Sequence, residues 1–211
     1  NIEGRLSSGN GGYASQFTRV QFLQLNNVRA TRNILVAWNE VINEPRQSRV
    51  EDNINLYLSS GTPDSPIVIR NNYIRGGYPA DPARDSYSGG GIIVDGNGTS
   101  MATAAGHIDI VDNQVVATTN YGVAISAGHH VKVQRNRVVS SGRTPDGQRI
   151  AAANIGVYVW DMNFNARKGT FHHHTVTHNY SAWTNHSGNR NDFWMPDCGG
   201  TVICSNNSQA A

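Results

Sequence analysis

The stretch "HVKVQRNRVV", residues 130–139, alternates apolar and polar residues and sets Asn136 between two arginines. The same phrase returns as "NILVAWNEVI" at 33–42, "PIVIRNNYIR" at 66–75, "HIDIVDNQVV" at 107–116 and "HHTVTHNYSA" at 173–182. Counting the second letter of each phrase as position 1, position 6 reads Asn39, Asn72, Asn113, Asn136 and Asn179. Position 1 reads Ile34, Ile67, Ile108, Val131 and His174, and position 3 reads Val36, Ile69, Ile110, Val133 and Val176. Position 8 is Val41, Ile74, Val115, Val138 and Ser181, whereas position 2 carries Leu35, Val68, Asp109, Lys132 and Thr175. Apolar positions alternating with mixed ones are the signature of a half-buried strand.

A second phrase lies between successive copies of the first: "INLYLS" at 54–59, "GIIVD" at 91–95, "GVAIS" at 122–126 and "GVYVW" at 156–160, with a weaker "VQFLQL" at 20–25. The asparagines recur at intervals of 23 to 43 residues, and the excess falls in turn-rich text at 76–90, 143–154 and 161–169. A short minimum repeat with variable insertions describes a coil that stacks on itself. Each winding then lies about 4.8 Å above the last, and positions 1, 3 and 8 form inward rows. Asparagine at position 6 hydrogen-bonds its counterpart on the next coil, as in other parallel stacks. Its tolerance of left-handed backbone suits it to the bend. An antiparallel sandwich would give no reason for one polar residue at a fixed strand offset, and crossover handedness makes the coil right-handed.

The expected architecture is therefore all-β: a right-handed parallel β-helix (solenoid) of about five coils with an Asn ladder and an irregular C-terminal cap. Residues 1–182 form the coils, with loop insertions at 76–90 and 143–154; residues 183–211, where the repeat fades, cap the last coil within the same domain. Cys198 and Cys204 close a small disulfide ring there, worth about 2 kcal/mol or less by loop entropy. A disulfide implies an oxidising compartment, hence a secreted or cell-surface protein. The chain begins almost in mid-coil, which suggests a fragment, a partner domain at the N-terminal end, or self-association. "IEGR" at 2–5 matches a protease-cleavage sequence but also reads as ordinary sequence.

Composition agrees with many short strands. Of 211 residues only 15% are charged, Gly numbers 22, and no long run has helical periodicity. No run of about 18 apolar residues offers a membrane span. No signal-type segment is present, so an exported protein would be represented in mature or fragment form. A net charge of +2 is too weak for a nucleic-acid partner. All cations but Lys132 and Lys168 are arginine, whose planar fork suits acidic ligands.

The phrases "IVIRNNYI", "IDIVDNQV" and "VKVQRNRV", interleaved with "GIIVD", "GVAIS" and "GVYVW", resemble the repeats of right-handed parallel β-helix proteins of the pectate-lyase-like superfamily. The similarity covers roughly residues 20–182 and is specific for fold. Members include polysaccharide lyases, glycoside hydrolases, uronan epimerases, phage tailspikes and adhesins. The catalytic motifs of the alginate epimerases and polygalacturonases are absent from this chain. The resemblance implies an extracellular protein that cleaves or modifies an acidic polysaccharide in a groove on its outer face. The alternative is a non-catalytic carbohydrate-binding or structural module of a fibre, adhesin or secreted assembly.

Stacked type-two strands place Tyr57, Asp95, Ser126 and Trp160 in one outward row and Asn55, Ile93, Ala124 and Tyr158 in the next. Tyr57, Tyr158 and Trp160 suit the apolar faces of sugars. Among nearby Glu51, Asp52, Asp95 and Asp161, the candidates for catalysis are Asp95, Asp52 and Asp161. Hydrolysis requires two carboxyl groups at about 5–5.5 or 6.5–9.5 Å, within reach of adjacent coils. A lyase or epimerase would need a base and a cation near the uronate; Arg70, Arg75 and Lys132 are the candidates. No cofactor is assigned; calcium held by acidic residues is the one the chemistry admits. No metal ligands are assigned either: "FHHHTVTHN" invites a zinc reading, but His174 falls on an inward row, so packing or capping is expected. His129 and His130 are expected in a solvated turn. "NGTS" at 97–100 and "NHS" at 185–187 fit glycosylation acceptors.

Overall fold

A computed structural model describes residues 5–7, 13–87 and 89–210; residues 2–4 of "IEGR" lie outside them. Strands β1 (Arg5–Ser7) and β2 (Tyr13–Phe17) form an antiparallel pair. All later strands belong to three parallel sheets of six. Sheet I holds β4 (Leu35–Ala37), β7 (Ile67–Arg70), β10 (Gly106–Val111), β13 (His129–Gln134), β16 (His174–Thr177) and β19 (Val202–Ser205). Sheet II holds β5 (Glu40–Ile42), β8 (Tyr73–Gly77), β11 (Gln114–Thr118), β14 (Arg137–Ser140), β17 (Tyr180–Trp183) and β20 (Ser208–Gln209). Sheet III holds β3 (Leu23–Asn26), β6 (Asp52–Tyr57), β9 (Gly90–Asp95), β12 (Tyr121–Ile125), β15 (Ile155–Val159) and β18 (Phe193–Trp194). Each winding visits III, I and II in turn, and the result is a right-handed parallel β-helix of six coils.

The corner between sheets I and II is an asparagine ladder. Nδ2 of each rung donates to Oδ1 of the next: Asn39 to Asn72 at 2.9 Å, Asn72 to Asn113 at 2.9 Å, Asn113 to Asn136 at 3.0 Å and Asn136 to Asn179 at 3.0 Å. A sixth rung follows, Asn179 to Asn207 at 3.0 Å. Two features differ from expectation. The left-handed residue is not the rung but its predecessor: Trp38, Asn71, Asp112, Arg135, His178 and Asn206 all have φ between 54° and 62°. That kink turns the rung's side chain inward, where it serves both its neighbour and backbone carbonyls. The residues expected as an irregular cap also wind once more. β19 pairs in parallel with β16, β18 with β15 and β20 with β17, while the Cys198–Cys204 disulfide, Cα atoms 5.7 Å apart, staples the turn before β19.

The inward rows fill the core. Ile67, Ile69, Ile108, Ile110, Val131, Val133 and Val176 face Ile54, Leu56, Ile92, Val94, Val123, Ile125, Val157 and Val159, all buried. Trp183 is fully buried in the same cluster. The insertions at 76–90 and 143–154 both leave sheet II for sheet III, so they stack at one corner. Tyr78 packs there with Ile150 and Ala153, and the Ala151 N–H donates to the Pro82 carbonyl at 2.8 Å.

His174 sits in the inward row, as its offset requires, with no exposed surface and no hydrogen-bond partner at either ring nitrogen. Its ring lies 4.4 Å from that of Phe171. Burial pushes its pKa down to about 3, so the imidazole is neutral. An unpartnered buried polar group costs about 1–3 kcal/mol. His174→Ile, which restores the residue type of that row, is expected to raise stability by about 1–2 kcal/mol in urea unfolding. A destabilised variant would show that the ring nitrogens are needed. The expectation of a solvated His129 is corrected: it is buried, because Gly106 directly below leaves the space its ring occupies.

Candidate functional site

The outer face of sheet III carries a groove made by three columns of side chains. The first is Asp52, Gly90, Tyr121 and Ile155; the second is Asn55, Ile93, Ala124, Tyr158 and Trp194. The third is Tyr57, Asp95, Ser126 and Trp160, fixed by the Tyr57–Asp95 pairing and by the Ser126 and Trp160 N–H bonds to Val94 and Ile125. Two contiguous hollows result. One of about 260 Å³ contains Glu51, Asp52, Tyr57, Tyr87, Asp95, Tyr121 and Tyr158. The other, about 370 Å³, contains Trp160 and Trp194, and the two share Asn120, Tyr158 and Met162. The insertions border the groove, Tyr87 from the first and Asn154 from the second.

The first column was not visible in the sequence rows, and glycine explains it. A Cβ at Gly90 would lie 2.3 Å from Tyr121 Cζ and 2.6 Å from Asp52 Oδ1. Without one, the Tyr121 ring crosses an entire coil and its hydroxyl donates to Asp52 Oδ1. Asn55 Nδ2 donates to the other carboxyl oxygen at 3.0 Å. Burial raises the Asp52 pKa to about 6; the bonds from Tyr121 and Asn55 pull against it, and the carboxylates of Glu51 and Asp95 add to it. Asp95 is also raised by burial, opposed by the Gly96 N–H at 2.6 Å. Tyr121 is pushed well above its ordinary value by burial and then by Asp52. Tyr158, its ring 5.5 Å from Tyr121 and edge-on, bonds to Ser126 Oγ at 2.7 Å and is raised by burial to about 12.

Asp52 and Asp95 occupy adjacent coils, but Asp52 pairs with Gly90, five residues before Asp95. Their Cα atoms are thus offset by about 16 Å along the strands. Coil rise alone, the basis for expecting a close pair, omits this offset. Asp161 does not enter the groove. Its oxygens accept the N–H groups of Asn165 at 2.7 Å and Ala166 at 2.8 Å, fixing a short 3-10 turn. The three proposed cations are on other faces. Arg70 and Lys132 belong to sheet I, where Lys132 pairs with Asp109 at 3.0 Å, and Arg75 belongs to sheet II, where it binds Glu44 at 2.7 Å. Among the described residues the cation beside the groove is Arg19, 2.7 Å from Glu51 and 5.1 Å over the Tyr87 ring. Three acidic side chains close enough to share a calcium ion do not occur among the described residues.

Tyr57, Tyr158 and Trp160 do meet in one groove with Asp52 and Asp95. Trp160 and Trp194, with rings 5.6 Å apart, are each nearly half exposed. Fold and groove together define a parallel β-helix protein with an aromatic, carboxyl-bearing trough on one sheet. No family model matches the chain, and neither a curated protein nor a solved structure matches it.

The raised Asp52 pKa has a thermodynamic consequence. A carboxyl whose folded pKa exceeds its unfolded one stabilises the fold while protonated, below about pH 4, and loses that contribution as pH rises through 6. The shift from 3.8 to about 6 corresponds to about 3 kcal/mol. Asp52→Asn should therefore gain about 2.5 kcal/mol relative to the native protein between pH 4 and pH 8, read from urea unfolding at both. A constant difference across that range would mean that Asp52 titrates normally.

Proposed function

We propose that the sheet III trough binds the sugar units of a glycan and that Asp52 acts there as a general acid. The observation that carries this is a buried carboxyl with a pKa of about 6 at one end of a trough floored by Tyr57 and Tyr158 and flanked by Trp160 and Trp194. Aromatic faces accept the apolar faces of sugar rings. A carboxylic acid that stays partly protonated near neutrality can protonate a leaving glycosidic oxygen.

Among lyase, hydrolase and epimerase, hydrolysis fits best. The cations a uronate chemistry needs, Arg70, Arg75 and Lys132, face away from Asp52. The same charge distribution favours a neutral glycan over an acidic one, since the trough carries Glu51, Asp52 and Asp95 and its Arg19 is committed to Glu51. Glu51 is the second carboxyl on the Asp52 side, and Asp95 marks a subsite farther along. The β-helix supports placement in the pectate-lyase-like superfamily, and the disulfide supports a secreted or cell-surface location.

A second reading, a non-catalytic glycan-binding module, draws on one observation: both Asp52 oxygens already have protein partners. Incubation with a panel of neutral glucans, xylans and uronans separates the two. Turnover, read as reducing ends or unsaturated products, should fall at least 100-fold in Asp52→Asn, while Trp160→Ala weakens binding. Binding without turnover selects the module, and no binding to any glycan in the native protein overturns both.

A further inference from the structure

A cluster of imidazoles lies at the corner where the chain enters sheet I, away from the trough. His107, His130 and His173 begin that sheet on three successive coils, and all have left-handed backbone, with φ of 51°, 51° and 55°. Their rings stack, His107 on His130 at 4.9 Å and His130 on His173 at 4.8 Å. A second stack, His129 on His172 at 5.6 Å, runs beside the first. Gly106 supplies the room below His129; a Cβ there would lie 2.5 Å from its Nε2.

The two stacks bring nitrogens together. Nδ1 of His129 is 2.9 Å from Nδ1 of His130, and Nδ1 of His172 is 2.6 Å from that of His173. Two triads, His107–His129–His130 and His130–His172–His173, each present one ligand atom per residue within 4.8 Å of the others. Tetrahedral zinc with Zn–N bonds of about 2.0–2.1 Å holds its nitrogens about 3.3 Å apart, so small ring rotations reach that geometry.

Two further observations point to a ligand. Nε2 of His129, a residue only 3% exposed, has no hydrogen-bond partner. Among the described residues none of these five imidazoles forms an ion pair. Burial, and then the neighbouring imidazoles, lowers the pKa of both His129 and His130.

We propose that this corner binds one divalent transition-metal ion of the zinc type, anchored on His130, the residue common to both triads. Imidazole nitrogen is a donor for zinc, copper and nickel, whereas calcium and magnesium demand oxygen. Three protein nitrogens leave a fourth position for water or a ligand. The site is independent of the glycan trough.

The test is calorimetric titration of tag-free protein with zinc chloride at about pH 7.5, with cobalt(II) substitution as a spectroscopic second readout. One ion per chain should bind with a dissociation constant below about 10 µM, and cobalt should give the visible bands of a low-coordinate nitrogen-ligated ion. His130→Ala should weaken binding at least 100-fold, while His178→Ala, remote on the ladder corner, should leave it unchanged. Should His130→Ala fail to fold by circular dichroism, the double variant of His107→Ala and His173→Ala, both on the outer stack, replaces it with the same expected loss. No binding tighter than about 1 mM, or equal affinity in the variants, overturns the proposal.

Discussion

Asn113→Ala is expected to lower the stability of the β-helix by about 3–5 kcal/mol, enough to unfold a marginal domain. Asn113 is fully buried, and six hydrogen bonds use its side chain or end on its rung. Its Oδ1 accepts both the N–H and the Nδ2 of Asn72, at 3.1 and 2.9 Å. Its Nδ2 reaches Asn136 Oδ1, the Ile69 carbonyl at 2.9 Å and the Val111 carbonyl at 3.1 Å. Alanine leaves two donors and two backbone acceptors in a dry interior, each costing about 1–3 kcal/mol with incomplete additivity. Asn39→Ala is the control. Its rung ends the ladder and is half-buried, so water can replace what is lost, and about 1 kcal/mol is expected. Urea unfolding of both variants checks the contrast. Similar losses at the two positions would mean that the ladder is not what holds the corner.

Gly122→Ala is the second large effect, about 3 kcal/mol or more of destabilisation. Gly91, Gly122 and Gly156, the first letters of the recurring sheet III phrases, lie in one column. Sheet II packs its position 8 side chains against them: an added Cβ would lie 2.8 Å from Val115 Cγ1 at Gly91, 2.0 Å from Val138 Cγ1 at Gly122 and 2.3 Å from Ser181 Oγ at Gly156. Backbone carbonyls close the other side, so neither wall can retreat cheaply. Combining Gly122→Ala with Val138→Ala should recover at least half of the loss. Failure of that rescue would place the strain in the backbone rather than in the Val138 contact.

The ladder and the inward rows were legible in the sequence because each depends on one residue type at a fixed strand offset. Asn136, Val133 and Val138 carry that pattern in a single strand phrase. The kink was assigned one residue late because position 5 holds five different residue types (Trp38, Asn71, Asp112, Arg135, His178 and Asn206 include only two asparagines), so the left-handed requirement leaves no uniform mark. The sixth coil was missed at "VICSNNSQA", 202–210, although Asn207 stands at the ladder offset. Cys204 occupies an inward position there and Gln209 replaces the aliphatic of position 8, which hid the match.

At the trough, Tyr57, Asp95, Tyr158 and Trp160 could be placed in rows because their strands share a register. Asp52 and Tyr121 could not. Their contact spans two coils over Gly90, and the insertion at 76–90 separates those coils in sequence. His129 likewise fills the space left over Gly106, here on the adjacent coil. Contacts that skip a coil depend on where side chains are missing, and a phrase alignment records only where they are present.

In-register windings have a direct spectroscopic consequence. Leu35, Val68, Asp109, Lys132, Thr175 and Ile203 stack in one outward column of sheet I, and the first and last are both well exposed. Spin labels on Leu35→Cys and Ile203→Cys are therefore separated by five coil steps, about 24 Å. Pulsed dipolar spectroscopy should return one narrow distribution near that distance, and labels on Lys132→Cys and Ile203→Cys, two steps apart, one near about 10 Å. A broad distribution, or a Leu35–Ile203 distance far from 24 Å, would contradict a stacked parallel coil and remove both the trough and the histidine corner with it.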